Sequence, residues 1–284
     1  MKYRDLEINF SIENVAFQAI SISIEKLEQA IPMHSHSKNS YEIHYISFGF
    51  GTLRCEDKTY DIVPGTLFVT GPEVEHEQIS VASDPMTEYC IYLKVRPESK
   101  SVKGTFVESF LKNVFWFGTG DTGYHEWMKQ IVSELEHRSL GYELVLQSLL
   151  QQVILYLTRK YNASNDFSQS DSESSKSNGV NDLTYLIIEE AFLYNYKDIT
   201  LKSLSSQIGL GTRQTERLLK LHYHKTFQQK KTEARMSAAS SLLRDTTQSV
   251  SDIAFSLGYS SVEHFSSAFK QSMGCTPSNY RHRQ

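Results

Sequence analysis

With 284 residues, the chain is long enough to bury two cores, and its 39% hydrophobic content argues against a largely disordered protein. No apolar run approaches the roughly 18 residues that a membrane-spanning helix needs. The net charge of −4 hides an uneven distribution. From Asn181 onward there are 13 Lys+Arg against 9 Asp+Glu, whereas residues 1–180 hold 16 against 24. An acidic module joined to a mildly basic one is the balance expected of a sensor attached to a polyanion-binding domain.

The opening Met1-Lys-Tyr-Arg-Asp-Leu-Glu is charged and no long apolar run follows it, so no signal peptide is expected. Cys55, Cys90 and Cys275 are odd in number and lack metal-type spacing, which points to a reduced, cytoplasmic protein. From about residue 10 to 98 short β-rich runs alternate with turn residues. Strands are expected at 41–48, 52–55, 59–63 and 66–70. Gly49-Phe-Gly51, Glu56-Asp57-Lys58, Pro64-Gly65 and Gly71-Pro72 are the turns between and after them. Strands this short and closely spaced suggest a small barrel or sandwich.

Within this stretch His34-Ser-His36, Glu42 and Gly49, followed by Pro64-Gly65, Gly71-Pro72 and His76, resemble the two motifs of the cupin fold. In metal-binding cupins the corresponding His, His, Glu and His are ligands, and a metal-dependent cupin enzyme tethered to a DNA-binding domain is therefore one reading. Neutral imidazoles with a carboxylate suit a first-row transition metal. The preferred reading has no metal, no cofactor and no catalytic residue. In it His34, His36, Glu42, His44 and His76 line a pocket for a small polar effector such as a sugar. On a regular strand Tyr41 and Tyr45 point away from Glu42 and His44, so the tyrosines cannot share that lining.

Helical periodicity follows at 124–138 and 142–161. The second segment is apolar on more than one face, so one face can pack on the barrel and another can meet a second copy of the chain in a homodimer. Residues 162–180 are rich in Ser, Asn and Asp and nearly free of large apolar side chains, and are expected to be a flexible linker. Residues 1–161 and 181–284 are thus the expected domains.

In the second domain the same plan occurs twice, at about 200–221 and 250–271. In the first copy Leu201, Leu204 and Ile208 form one stripe, Gly209 and Gly211 the turn, and Thr215, Leu218 and Leu219 the next stripe. In the second the corresponding residues are Ile253, Ala254 and Leu257, then Gly258, then Val262, Phe265 and Phe269. Each is a helix-turn-helix. Gly209 and Gly258 are 49 positions apart, which leaves room for a bridging helix over Gln228–Leu243. The outward residues are the candidate DNA contacts: Thr212, Arg213, Gln214, Arg217 and Lys220 in the first copy, and Ser260, Ser261, Glu263, His264, Ser267 and Lys270 in the second, with Arg281 beyond it.

Val250 with Asp252-Ile253-Ala254, Gly258-Tyr259-Ser260, Phe265 with Phe269-Lys270, Gly274-Cys-Thr276-Pro277 and Tyr280-Arg281 together resemble the signature of AraC/XylS-type transcriptional regulators. Gly211, Leu219 and His224 depart from that pattern. The resemblance implies an α+β multidomain protein, with an N-terminal cupin-like β-barrel followed by helices and a C-terminal all-α double helix-turn-helix domain of seven helices. It further implies a sequence-specific, non-enzymatic regulator of promoter DNA, more often an activator, with RNA polymerase as a further partner and the helices at 124–161 as dimer surface. A constitutive DNA-binding dimer without an effector is the remaining alternative.

Overall fold

The computed structural model describes all residues except 5, 7, 29, 37, 38, 56, 98–104, 164–181 and 283–284. Most of the expected linker, and Glu56 of the expected hairpin tip, therefore lie outside the described residues. The chain divides into two compact units, with the division toward the C-terminus falling between Leu183 and Thr184.

The first unit contains strands β1 (Lys2–Tyr3), β2 (Ile8–Ile12), β3 (Val15–Lys26), β5 (Ser40–Phe48), β6 (Gly51–Cys55), β7 (Lys58–Ile62), β8 (Thr66–Thr70), β9 (His76–Ser80) and β10 (Thr87–Pro97), while β4 (Ile31–His34) falls in residues 30–34, which are grouped with the second unit. After them come α1 (Phe106–Lys112), β11 (Phe115–Thr119), α2 (Thr122–His137) and α3 (Tyr142–Ala163). The four expected strands lie within one residue of β5, β6, β7 and β8. Asn162 and Ala163, expected in the linker, instead extend α3.

One sheet runs β1-β3-β10-β5-β8-β11, with β2 on β3, and a second runs β4-β9-β6-β7. The two-residue period of the strands sorts their side chains into two layers. Tyr41, Ile43 and Tyr45 of β5, Leu67 and Val69 of β8, and Ile91, Leu93 and Val95 of β10 turn one way. There they pack with Phe110 of α1, Met128 and Ile131 of α2, and Leu149, Leu150, Val153 and Ile154 of α3. The alternate residues turn toward the second sheet, as the 3.3 Å approach of Gln78 on β9 to His44 on β5 requires. A polar group therefore occupies the space between the sheets, and the apolar core lies outside the larger one.

This layering answers the question raised by the wide apolar face of α3. Leu146, Leu149, Leu150, Val153, Ile154 and Leu157 are all buried within the unit, and only Leu144 on the helix and Leu140 just before it are left fully to solvent. No helix among the described residues is long and apolar enough to cross a membrane.

The second unit contains the seven helices α4 (Asp182–Tyr194), α5 (Leu201–Gln207), α6 (Thr212–Tyr223), α7 (Phe227–Asp245), α8 (Val250–Ser256), α9 (Val262–Met273) and α10 (Pro277–His282). Short helices this close together depend on their ends. Thr200, Thr226, Ser249 and Ser261 each accept a hydrogen bond from the backbone N–H three residues on, and such caps contribute about 1 kcal/mol apiece. Gly211 cannot do this for α6. Instead the Gln214 side chain turns back and accepts from the Gly211 N–H at 3.1 Å. Both interhelical turns pass through a left-handed glycine, Gly209 at φ 66° and Gly258 at φ 80°, a conformation that would strain a side chain. Phe265 and Phe269 of α9, fully buried, pack with Ile253, Ala254 and Leu257 and with Met236, Ala239 and Leu243 of α7.

Candidate functional site

On the second unit, α5–α6 and α8–α9 form two copies of one device, each a short helix, a glycine turn and a twelve-residue helix. Burial follows the expected stripes: Thr215, Leu218 and Leu219 face inward in α6, and Phe265 and Phe269 in α9. Thr212, Arg213, Gln214, Arg217 and Lys220 are exposed, as are Ser260, Glu263, His264, Ser267 and Lys270. Arg213, Arg217 and Lys220 have no ion-pair partner among the described residues. Glu216, the one acid on α6, turns away to accept from the Phe227 N–H at 3.3 Å.

Three of the expected contacts serve the fold: Gln214, which accepts from the Gly211 N–H at the start of α6, Ser261 and Arg281. Ser261 is half-buried, and its hydroxyl caps α9 through the His264 N–H. Arg281 differs more from expectation. Its guanidinium donates to the carbonyls of Leu243 at 3.1 Å and Gln248 at 2.6 Å, tying α10 to the end of α7 and to the entrance of α8. Two of its five N–H donors are engaged in this way, so Arg281 positions the second helix-turn-helix. In the first copy Lys231 donates to the Ile199 carbonyl just before α5, at an offset of 50 from Arg281, while Arg235 donates to the carbonyls of Tyr196 and Lys197. The repeat offset was visible in the sequence, but that these cations face carbonyls was not.

In the first unit the expected histidines gather around one carboxylate. Glu42 Oε2 is 2.9 Å from His36 Nε2, 3.2 Å from His44 Nε2 and 3.9 Å from His76 Nε2. Within this unit His36, Glu42 and His76 each offer one ligand atom, and these atoms lie within 4.8 Å of one another; His34, the other expected member, belongs to residues 30–34 of the second unit. Two rings are oriented from behind: the Nδ1 of His34 is 2.8 Å from the Pro32 carbonyl and that of His76 is 3.0 Å from the Val74 carbonyl. An Nδ1–H donated to a carbonyl leaves Nε2 as the ring's lone pair.

His44 has a different environment. Its Nδ1 lies 2.9 Å from Glu88 Oε1, its ring stacks on Phe68 at 4.4 Å, and Cys90 of the adjacent strand completes its surroundings. Burial opposes a charge on His44, but Cys90, Glu88 and the hydrogen bond to Glu42 outweigh it and hold the imidazole well above its ordinary value. Burial likewise opposes the Glu42 charge, yet His36 and the other two imidazoles around it hold that carboxyl well below its ordinary value. Burial lowers His76, and its bond to Glu42 only partly offsets this. The Cys90 thiol is pushed up to about 12, chiefly by burial. Glu88, Gln78 and Cys90 were not anticipated as members of this group. The alternation Glu88-x-Cys90-x-Tyr92 was the available signal, since it puts all three on the face opposite the apolar Tyr89, Ile91 and Leu93.

A paired helix-turn-helix domain joined to a two-sheet domain with a buried polar group defines the class: a DNA-binding regulator with a ligand-binding module. The family description AraC-like ligand binding domain matches residues 22–154, and that of a helix-turn-helix domain matches residues 204–283. The transcriptional activator RhaR of Salmonella dublin is 22% identical over 272 residues, covering 93% of this chain and 92% of that protein. RhaR of Mannheimia succiniciproducens is 34% identical over 87 residues, which span 31% of this chain and 32% of that relative, about a third of its length. The C-terminal domain of AraT from Geobacillus stearothermophilus matches with 26% identity and a TM-score of 0.35, over 38% of this chain and 89% of that one. The chain belongs to the AraC family of helix-turn-helix transcription regulators, with an AraC-like ligand-binding domain at its N-terminal side.

Proposed function

We propose that this regulator is a sequence-specific, cytoplasmic activator controlled by a small polar effector bound at the group around Glu42. The observation that carries the reading is the pair of equivalent exposed helix faces, Arg213, Gln214, Arg217 and Lys220 on α6 and Glu263, His264, Ser267 and Lys270 on α9. On such faces α6 and α9 would enter successive major grooves about 34 Å apart. Relatives whose names describe them as transcriptional activators support the sign of control, and an activator would have RNA polymerase as a partner at the promoter. Arg217→Ala and His264→Ala are expected to weaken binding to the preferred duplex by about ten-fold or more, and binding to random DNA by much less. Equal losses on both, read by fluorescence anisotropy, would reduce these side chains to phosphate contacts.

Glu42 is more accessible than the imidazoles packed against it, its side chain 15% exposed against 3% or less for His36, His44 and His76. A carboxylate that accepts beside imidazoles that donate or accept suits the hydroxyls of a sugar or polyol. The convergence of His36, Glu42 and His76, with the Nε2 lone pair of His76 set by a backbone carbonyl, favours a second reading in which the effector is a divalent transition-metal cation. One thermal-shift screen of chelator-treated protein separates the two readings. Sugars and polyols form one panel, and Zn²⁺, Ni²⁺ and Mn²⁺ the other. A true effector at a hundred times its Kd stabilises by about 2.7 kcal/mol. A response to neither panel would favour the effector-free dimer.

Homodimerisation remains part of the proposal, through the α2–α3 corner where Leu140 and Leu144 are 107% and 68% exposed. Leu144→Glu is expected to turn a dimer into a monomer in sedimentation equilibrium while leaving the far-ultraviolet circular dichroism unchanged. An unaltered dimer would move the interface elsewhere.

A further inference from the structure

The two recognition helices run in step at an offset of 50 residues. Their N-caps are Gly211 and Ser261, and their left-handed C-caps are His224 and Gly274. Equivalent outward positions can therefore be compared one by one. The second residue of the helix is Arg213 in α6 and Glu263 in α9. Then come Gln214 and His264, Arg217 and Ser267, and Lys220 and Lys270. All eight are exposed, and the residues between them are turned inward in both helices. The two copies thus share a scaffold and present opposite charge at the position nearest the start of the helix, where recognition helices reach base edges.

The charge difference extends over each whole copy. Residues 200–223 carry four Lys+Arg and one Asp+Glu, whereas residues 249–273 carry one and two. The single acid of the first copy is Glu216, which is turned toward the Phe227 backbone, so the charges on the outward face of α6 are all cationic. Nothing comparable screens Glu263, which lies fully in solvent. Its carboxyl is lowered by its own backbone N–H and by the Ser261 hydroxyl, so it stays ionised. A carboxylate has about four acceptor sites, so these local bonds leave acceptors free to face outward.

The major-groove edges of the bases translate this difference into sequence. Guanine presents two acceptors, O6 and N7, which the arginine fork satisfies, whereas cytosine presents the N4 amino donor, which a carboxylate satisfies. A carboxylate facing guanine would place acceptor against acceptor with no proton between them. We propose that the two copies read unlike half-sites: α6 selects guanine through Arg213 and supplies most of the phosphate attraction, while α9 selects cytosine at the corresponding position through Glu263 and rejects guanine there.

This inference rests on the DNA-binding reading above, in which α6 and α9 both enter major grooves. It predicts that the operator is not a direct repeat. It also predicts that the salt dependence of binding resides mainly in the half-site under α6, because counterions are released where cations meet phosphates.

The test is selection of duplexes from a random pool by the full-length protein, for the wild type, Glu263→Arg and Glu263→Gln. Glu263 is exposed and outside the core, and the glutamine variant keeps its shape, so folding is checked by circular dichroism and both variants are read against the wild-type motif. Wild type is expected to enrich a bipartite motif with a cytosine in one half. Glu263→Arg should convert that single preference to guanine, by about ten-fold or more, and Glu263→Gln should shift it toward adenine, with the other half unchanged in both. A wild-type motif of two identical halves would overturn the inference, as would variants whose motifs match the wild type. A folded wild type that enriches no sequence would overturn the DNA-binding reading itself, and the inference with it.

Discussion

Phe265→Ala is expected to destabilise the C-terminal unit by about 3–5 kcal/mol, the usual cost of truncating a fully buried phenylalanine. Its ring lies 5.5 Å from that of Tyr259 and 5.7 Å from that of Phe269, and it closes α9 against α8 and α7. A domain of about 100 residues has only about 5–15 kcal/mol to lose. The substitution should therefore remove most specific DNA binding at 37 °C as well as shifting the denaturant midpoint. Phe265→Leu keeps most of the volume and should cost much less. A shift below about 1 kcal/mol for the alanine variant would mean that the cavity collapses or that the packing around α9 is looser than described. The first copy has Thr215 at the equivalent place, hydrogen-bonded to Ser205 at 2.9 Å. The same scaffold is thus held by an apolar contact in one copy and by a buried hydroxyl pair in the other, and Thr215→Val should break only the latter.

His44→Ala should have a comparable effect on the first unit, for an electrostatic reason. Its imidazole lies between Glu42, 3.2 Å from Nε2, and Glu88, 2.9 Å from Nδ1, and is itself only 2% exposed. Removing one partner of a buried charged group costs about 3–5 kcal/mol, because the remaining charge is left uncompensated. Adding Glu88→Gln to the alanine variant should recover part of the loss, whereas a cavity alone would not respond to that change. The pH dependence follows from the directions of the shifts. His44 is raised above 6.5, so its contribution is fully present below that value and is lost as pH rises through its higher folded value. Glu42 is lowered below 4.5, so its contribution is present above that value and is lost as pH falls through its lower folded value. The contributions of these two groups are together fullest between about 4.5 and 6.5, and His76, lowered below 6.5 by burial, favours the upper end of that window. His44→Ala should flatten the alkaline limb of its stability profile, and a profile unchanged by the substitution would exclude a charged His44.

Much of the architecture was legible because its signals are local. The helix-turn-helix units follow from stripes three and four residues apart, glycines at the turns and hydroxyl residues at the helix starts, and the inward and outward faces of α6 and α9 came out as the spacing implied. Ser261 shows the limit of that logic: the same hydroxyl can cap a helix or meet DNA, and local pattern alone does not choose. The elements before β5 and after β10 were harder. The long β3 finds its partners in β10 and β2, and α1 and β11 complete layers whose other members lie far away in sequence.

By itself, then, the sequence determined the family, the doubled DNA-binding plan, the main strands and the identity of the histidines and carboxylate that meet, because periodicity and turn chemistry act over a few residues. Tertiary structure alone decided which distant side chains complete those plans. Lateral pairing of β10 with β5 brought Glu88 to His44 from 44 residues away, and the facing of the two sheets brought Gln78 from 34. Helix packing consumed most of the apolar face of α3 and turned Arg281 onto the carbonyls of Leu243 and Gln248. Buried polar groups must find partners wherever the fold supplies them, and no spacing along the chain records where that will be.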